Sequence, residues 1–258
     1  MRDKVAGWLM LAGLFMLGAC AARFAPSASA APRGDSGQGM RVVLVAGDGG
    51  LDVFDNGVAG VEAWLRDTGE GAPDRIVRLS ASPAVIARDR VEPASERHIM
   101  QAIESMNPAS GQACFVFITS HGIKGEGVAL SYDDSVLRPA ALDRALTTGC
   151  GDAPTVAIVS ACYSGSFARP PMARPNRIVL TAARADRPSF GCGAGETYTF
   201  FDECLLHSLD RGPGWQAVFA ATRSCVSQHE RREGEVPSMP QGWFGAAVAD
   251  LPVPRPAR

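Results

Sequence analysis

TVAIVSACYSGSF, residues Thr155–Phe167, is the stretch whose reading decides the fold. A short apolar run bounded by turn signals reads as a buried strand, and Val156 to Val159 is such a run, entered through Pro154 and left through Gly165. Cys162 then stands at the C-terminal end of a strand. The same pattern recurs in RVVLVAG (Arg41–Gly47), DRIVRLS (Asp74–Ser80), CFVFITS (Cys114–Ser120) and RIVLTAA (Arg177–Ala183). Such near-continuous apolar runs fit strands covered on both faces.

Helices are predicted between these strands, over about 58–68, 95–106 with Ser95 as N-cap, 139–146, 196–209 and 215–228, and a small hairpin in GEGVALSYDD, residues 125–134. Strands alternating with helices imply an α/β fold with a mostly parallel sheet and helices on both faces. No internal repeat is present.

The chain has 258 residues, 46% hydrophobic, enough for one compact domain and tight for two. Its formal net charge is −2, and its basic residues are scattered. They leave no electrostatic footprint for nucleic acid, and no such partner is expected.

Arg2 and Lys4 precede an apolar stretch from Val5 to Gly18, the pattern of an export signal too short to remain as a membrane span. The stretch runs into Leu17-Gly18-Ala19-Cys20, which resembles the lipobox of bacterial lipoproteins, with Cys20 as the acylated residue. The expected organisation is a signal peptide over 1–19, a lipidated cysteine and flexible tether over 20–39, a catalytic domain over 40–250 and a tail over 251–258. The expected location is the bacterial cell envelope, lipid-anchored at the periplasmic face of the outer membrane. Cleavage after Ala28-Ser29-Ala30 is the alternative, and it also exports the protein.

Seven cysteines are present, none spaced C-x-x-C, so no metal site is expected, and no cofactor either. With Cys20 acylated and Cys162 kept free, an odd number remain, and at least one more is unpaired. Cys114 opens the strand that leads to His121, and Cys150 lies just ahead of the strand that leads to Cys162. If those strands are neighbours, a Cys114–Cys150 disulfide fits, provided the α-carbons approach within about 7 Å. Among Cys192, Cys204 and Cys225 the pairing stays open.

In open α/β sheets the functional crevice lies beyond the carboxyl ends of the strands. His121 follows one strand and Cys162 another, and the interval between them holds a hairpin and a crossover helix. A cysteine and a histidine at one sheet edge is an arrangement for nucleophilic catalysis. The backbone N–H groups of Gly122 and Cys162 are candidates for an oxyanion hole. No G-x-S-x-G elbow supports a serine nucleophile.

FITSHG, IVSACYSGSF and RIVLTAARADRPSFGC together resemble the legumain-type cysteine peptidases, whose relatives include the catalytic subunit of the GPI transamidase, with caspases, gingipains and clostripain as more distant cousins. The resemblance covers roughly residues 41–245. It implies a caspase-like three-layer α/β/α sandwich with a mostly parallel sheet of about six strands. It also implies cysteine endopeptidase activity on a peptide or protein substrate, His121 and Cys162 as the dyad, and Gly122 and Cys162 as oxyanion donors.

The pattern departs from legumain where legumain carries a Glu two residues before the nucleophile and an acidic residue after it; here those positions hold Ser160 and Tyr163. The Arg-His pair after legumain's first strand aligns with Asp55-Asn56. Asparaginyl specificity is therefore not carried over. Asp55 and Asp186 are candidates for recognising a basic side chain, with Ser160 and Ser189 as pocket walls. The competing readings are a transpeptidase and a non-catalytic binding lipoprotein that keeps the caspase-like shell.

Overall fold

The computed structural model describes residues 39–255 apart from 71, 73, 74 and 194. The signal-peptide reading, Cys20 and the tether up to residue 38 lie outside the described residues. No helix among the described residues is long and apolar enough to cross a membrane.

The described chain runs β1 (Met40–Ala46), α1 (Asp52–Asp67), β2 (Ile76–Ser80), α2 (Pro83–Asp89), β3 (Glu92–Pro93), α3 (Glu96–Glu104), β4 (Ala113–Thr119), β5 (Gly122–Ile123), β6 (Gly127–Leu130), β7 (Ser135–Leu137), α4 (Pro139–Cys150), β8 (Thr155–Ser160), β9 (Arg177–Thr181), α5 (Phe200–Ser208), α6 (Trp215–Glu233) and β10 (Gln241–Phe244). Seven strands form the central sheet in the order β10-β9-β8-β4-β1-β2-β3. All neighbours are parallel except the edge pair β10–β9.

Alternation along each strand divides the core into two layers. Leu44, Phe117 and Ile158 face Val58, Leu205 and Trp215 of α1, α5 and α6 on one side. Val45, Ile118 and Val159 face Ile99 of α3 and Leu142 and Leu146 of α4 on the other. This is a three-layer α/β/α fold, with seven strands in the main sheet rather than about six.

Two disulfides join these elements, one between sheet and helix and one between two helices of the same layer. Cys114 at the start of β4 joins Cys150 at the end of α4, with Cα atoms 6.2 Å apart. Cys204 on α5 joins Cys225 on α6. At the amino-terminal end of β9 the buried guanidinium of Arg177 meets Asp143 of α4 at 2.7 Å, and Arg174 meets the same carboxylate at 2.7 Å.

Several boundaries differ from expectation. Helix α1 begins at Asp52 instead of near residue 58; Leu51 caps it without a side-chain hydrogen bond, so no cap residue marked the start. The predicted hairpin is part of a three-stranded antiparallel sheet, β5-β6-β7. Helix α2 and strand β10 were not foreseen, β10 because its Gln-Gly-Trp-Phe sequence follows prolines and lacks an apolar run. At the C-terminal end Val253 is buried and Pro252 pairs with Gly214, so these residues pack on the domain rather than trail from it.

Candidate active site

Strands β4 and β8 pair in parallel, with Thr119 opposite Ser160 at the last rung. His121 and Cys162 each come two residues after that rung, and both therefore emerge at the carboxyl edge of the sheet. The main chain continues to hold the ends together, since the Ser120 N–H donates to the Ser160 carbonyl at 3.0 Å. Gly122 packs so tightly against Cys162 that a Cβ on it would lie 1.9 Å from the Cys162 carbonyl oxygen. No other residue leaves room for that approach.

The turn after the nucleophile candidate is sharp. Tyr163 adopts φ +58°, in the left-handed region, and its N–H donates to the Arg187 carbonyl at 2.9 Å. A non-glycine residue in this region costs on the order of 1 kcal/mol, and here it reverses the chain directly behind Cys162. Ser164 stabilises the reversal by donating to the Ala161 carbonyl at 2.7 Å.

The half-buried Cys162 thiol rests on the backbone of Ser189, accepting from its N–H at 3.2 Å and donating to its carbonyl at 3.3 Å. The imidazole of His121 packs edge-on against Phe54 of α1, ring centroids 5.1 Å apart. Hydrogen bonding to Cys192 raises the His121 pKa, burial opposes the rise, and Asp48 in the turn after β1 adds a smaller upward push. Among the described hydrogen bonds none joins His121 to Cys162.

The remaining sequence-derived site residues are placed as follows. Ser189 lines the site through its main chain. Ser160 is buried beneath it, its hydroxyl 3.5 Å from that of Thr199. Asp186 is exposed, and its carboxylate accepts from Arg184 Nη2 at 2.9 Å. Asp55 is buried inside α1 rather than lying in the loop after β1. Its carboxylate accepts from Ser80 at 2.9 Å and from Arg78 at 3.2 Å. Burial outweighs both partners and raises its pKa. Asp55 thus serves the α1–β2 contact in this structure, because the early start of α1 turned it inward.

Phe54, Asp48, Cys192 and the buried Asp202 of α5 were not singled out from sequence. For Cys192 the only signal was arithmetic, one thiol left over once the others are paired. For Asp202 the signal was the Thr-x-x-Asp pattern at the start of α5, where Thr199 accepts from the Asp202 N–H at 3.1 Å.

A parallel sheet with antiparallel edge strand that presents a histidine and a cysteine at one carboxyl edge defines a caspase-like domain. The structure of caspase-1 from Spodoptera frugiperda is similar in fold, with a TM-score of 0.53 over 80% of this chain and 86% of that one, at 10% identity. The family model of the peptidase C13 family matches residues 95–246, more than half of the sequence, and the chain belongs to that family. No curated protein matches it in sequence. Family and fold together support a cysteine peptidase, a hydrolase with a peptide or protein substrate.

Proposed function

We propose that the protein is a cysteine endopeptidase that uses Cys162 as nucleophile and His121 as proton carrier. The observation that carries this reading is the in-register pairing of Thr119 with Ser160, which sets the two side chains the same distance beyond one rung. The Cys162 sulfur attacks the scissile carbonyl carbon, and the thiol proton passes to His121. The N–H groups of Gly122 and Cys162 stabilise the oxyanion. The C–N bond breaks as His121 gives its proton to the leaving amine, and water hydrolyses the resulting thioester. The thiol must first turn off the Ser189 peptide, which costs a pair of weak sulfur hydrogen bonds.

Export and lipid anchoring through Cys20 at the bacterial envelope belong to the same proposal, supported by the Val5–Gly18 stretch and the Leu-Gly-Ala-Cys sequence. Cleavage of a diverse peptide library by the wild-type chain, Cys162→Ser and His121→Ala tests the chemistry. Both variants should stay folded and lose turnover. Full activity in either contradicts the assignment.

A further inference from the structure

Beneath the two strand ends that carry His121 and Cys162 lies an acid that the chemistry above does not use. Asp202, in the first turn of α5, is fully buried. Thr119 Oγ1 donates to its Oδ2 at 2.7 Å. The Ser160 and Thr199 hydroxyls also lie against the carboxyl, yet only Thr119 makes a bond of full geometry, and Oδ1 is left without a donor.

The neighbours make the placement specific. Side chains two residues apart on a strand share a face, so Thr119 and Ser160 belong to the face that carries Phe117 and Ile158, which α1 and α5 cover. Opposite Asp202, α1 presents Gly57, where a Cβ would come 2.9 Å from Oδ2. One turn earlier on the same helix, Phe54 supports the His121 ring. The carboxyl thus sits where α1, α5, β4 and β8 meet. The polar groups that act on it are hydroxyls, Thr119 from β4, Ser160 from β8 and Thr199 from the start of α5, and Gly57 of α1 approaches it closely. Without a cation to offset it, burial pushes the Asp202 pKa up to about 6. A buried acid with an orphaned oxygen and no ion partner is a poor way to stabilise a core.

We propose that Asp202 is a positioning residue: through the bond from Thr119, with the Ser160 hydroxyl against the same carboxyl, it ties the ends of β4 and β8 to α5, and so sets where His121 and Cys162 stand. This rests on the dyad reading. The paired rungs of the two strands end at Thr119 and Ser160, with one further main-chain bond from the Ser120 N–H to the Ser160 carbonyl, and the reacting groups lie just past it. A side-chain tie at that rung acts where the main-chain ladder stops.

The test compares Asp202→Ala, Asp202→Asn, Thr119→Val, the Thr119→Val/Asp202→Ala double variant and Cys162→Ala in the full chain. The readouts are kcat and KM on a peptide that the wild type cleaves, the iodoacetamide alkylation rate of Cys162, and circular dichroism. Asp202→Ala should lower kcat about tenfold or more with KM changed less than about threefold, because orientation rather than binding is lost. Asp202→Asn keeps an acceptor for Thr119 and should recover kcat to within about threefold of wild type. Thr119→Val should reproduce the Asp202→Ala loss, and the double variant should be no worse than either single one. If Asp202→Ala does not fold, Thr119→Val and Asp202→Asn decide by the same criteria. Wild-type kcat in Asp202→Ala or Thr119→Val, or losses that multiply in the double variant, would overturn the proposal. Turnover surviving in Cys162→Ala would remove the dyad itself. Turnover abolished there but undiminished in the Asp202 and Thr119 variants would remove the positioning role alone.

Discussion

His121 and Cys162 stand at the ends of paired strands, yet different groups act on each: the cysteine thiol lies on the Ser189 peptide, and Cys192 is the strongest influence on the imidazole. The two free cysteines of the described residues are therefore divided between the two halves of the proposed dyad. In the proposed mechanism this arrangement keeps the Cys162 sulfur away from His121 until substrate displaces it. Catalytic contacts that tighten only on binding are common in sites without ligand.

Removing the Cys192 thiol should lower the His121 pKa, since that hydrogen bond is the largest influence raising it above the ordinary 6.5. The raised folded-state value contributes stability that is present below pH 6.5 and disappears as pH rises through it. Cys192→Ala should therefore lose stability in acid and match wild type in alkali. Proton NMR of the imidazole against pH checks the shift directly, and an unchanged His121 titration would show that Cys192 does not govern it.

For Asp202 the sign is also set by burial. Its carboxyl binds a proton more readily folded than unfolded between pH 3.8 and about 6, so stability falls as pH rises through that window and levels off above it, by on the order of 3 kcal/mol. Asp202→Asn should flatten this dependence and be at least as stable as wild type at pH 7. Urea denaturation at several pH values measures it; an unchanged slope between pH 4 and 6 would contradict a buried, neutralised acid.

Asp55→Asn should leave the cleavage preference unchanged, because the carboxylate is engaged by Ser80 and Arg78 inside the α1–β2 contact. The expected change is in stability alone. A fluorogenic library varied at the residue before the scissile bond tests this, and loss of a basic preference in the variant would return Asp55 to the pocket.

Asp143→Asn removes the counter-charge of Arg177, whose guanidinium is buried. Burial pushes Asp143 up, but Arg174 and Arg177 outweigh it and hold its pKa below the usual carboxylate value. Its stability is thus present above about pH 4 and lost as pH falls further. At neutral pH the variant should lose about 3 to 5 kcal/mol in urea denaturation. A loss near zero would mean that Arg177 finds another partner.

Much of this was legible in the sequence, for a physical reason. Strands covered on both faces have no polar alternation to blur them, so Val42–Ala46, Cys114–Thr119 and Val156–Ser160 stood out, and with them the residues at their ends. What escaped depends on contacts between distant segments. Leu51 carries no capping signal, so the start of α1 and the inward turn of Asp55 were hidden. Asp202 reads locally as the third residue of a capped helix, and only the packing of α5 on β4 and β8 brings it beneath the dyad. Cys192 lies in a loop without periodicity, and its neighbour His121 is far away in sequence.

The most direct test of the account is labelling of the full chain with a peptide acyloxymethyl ketone, followed by mass spectrometry of the modified cysteine. The account predicts a single label at Cys162, absent in Cys162→Ala, strongly slowed in His121→Ala and retained in Cys192→Ala. A label found on Cys192 in the wild type, or incorporation that persists in Cys162→Ala, would contradict it.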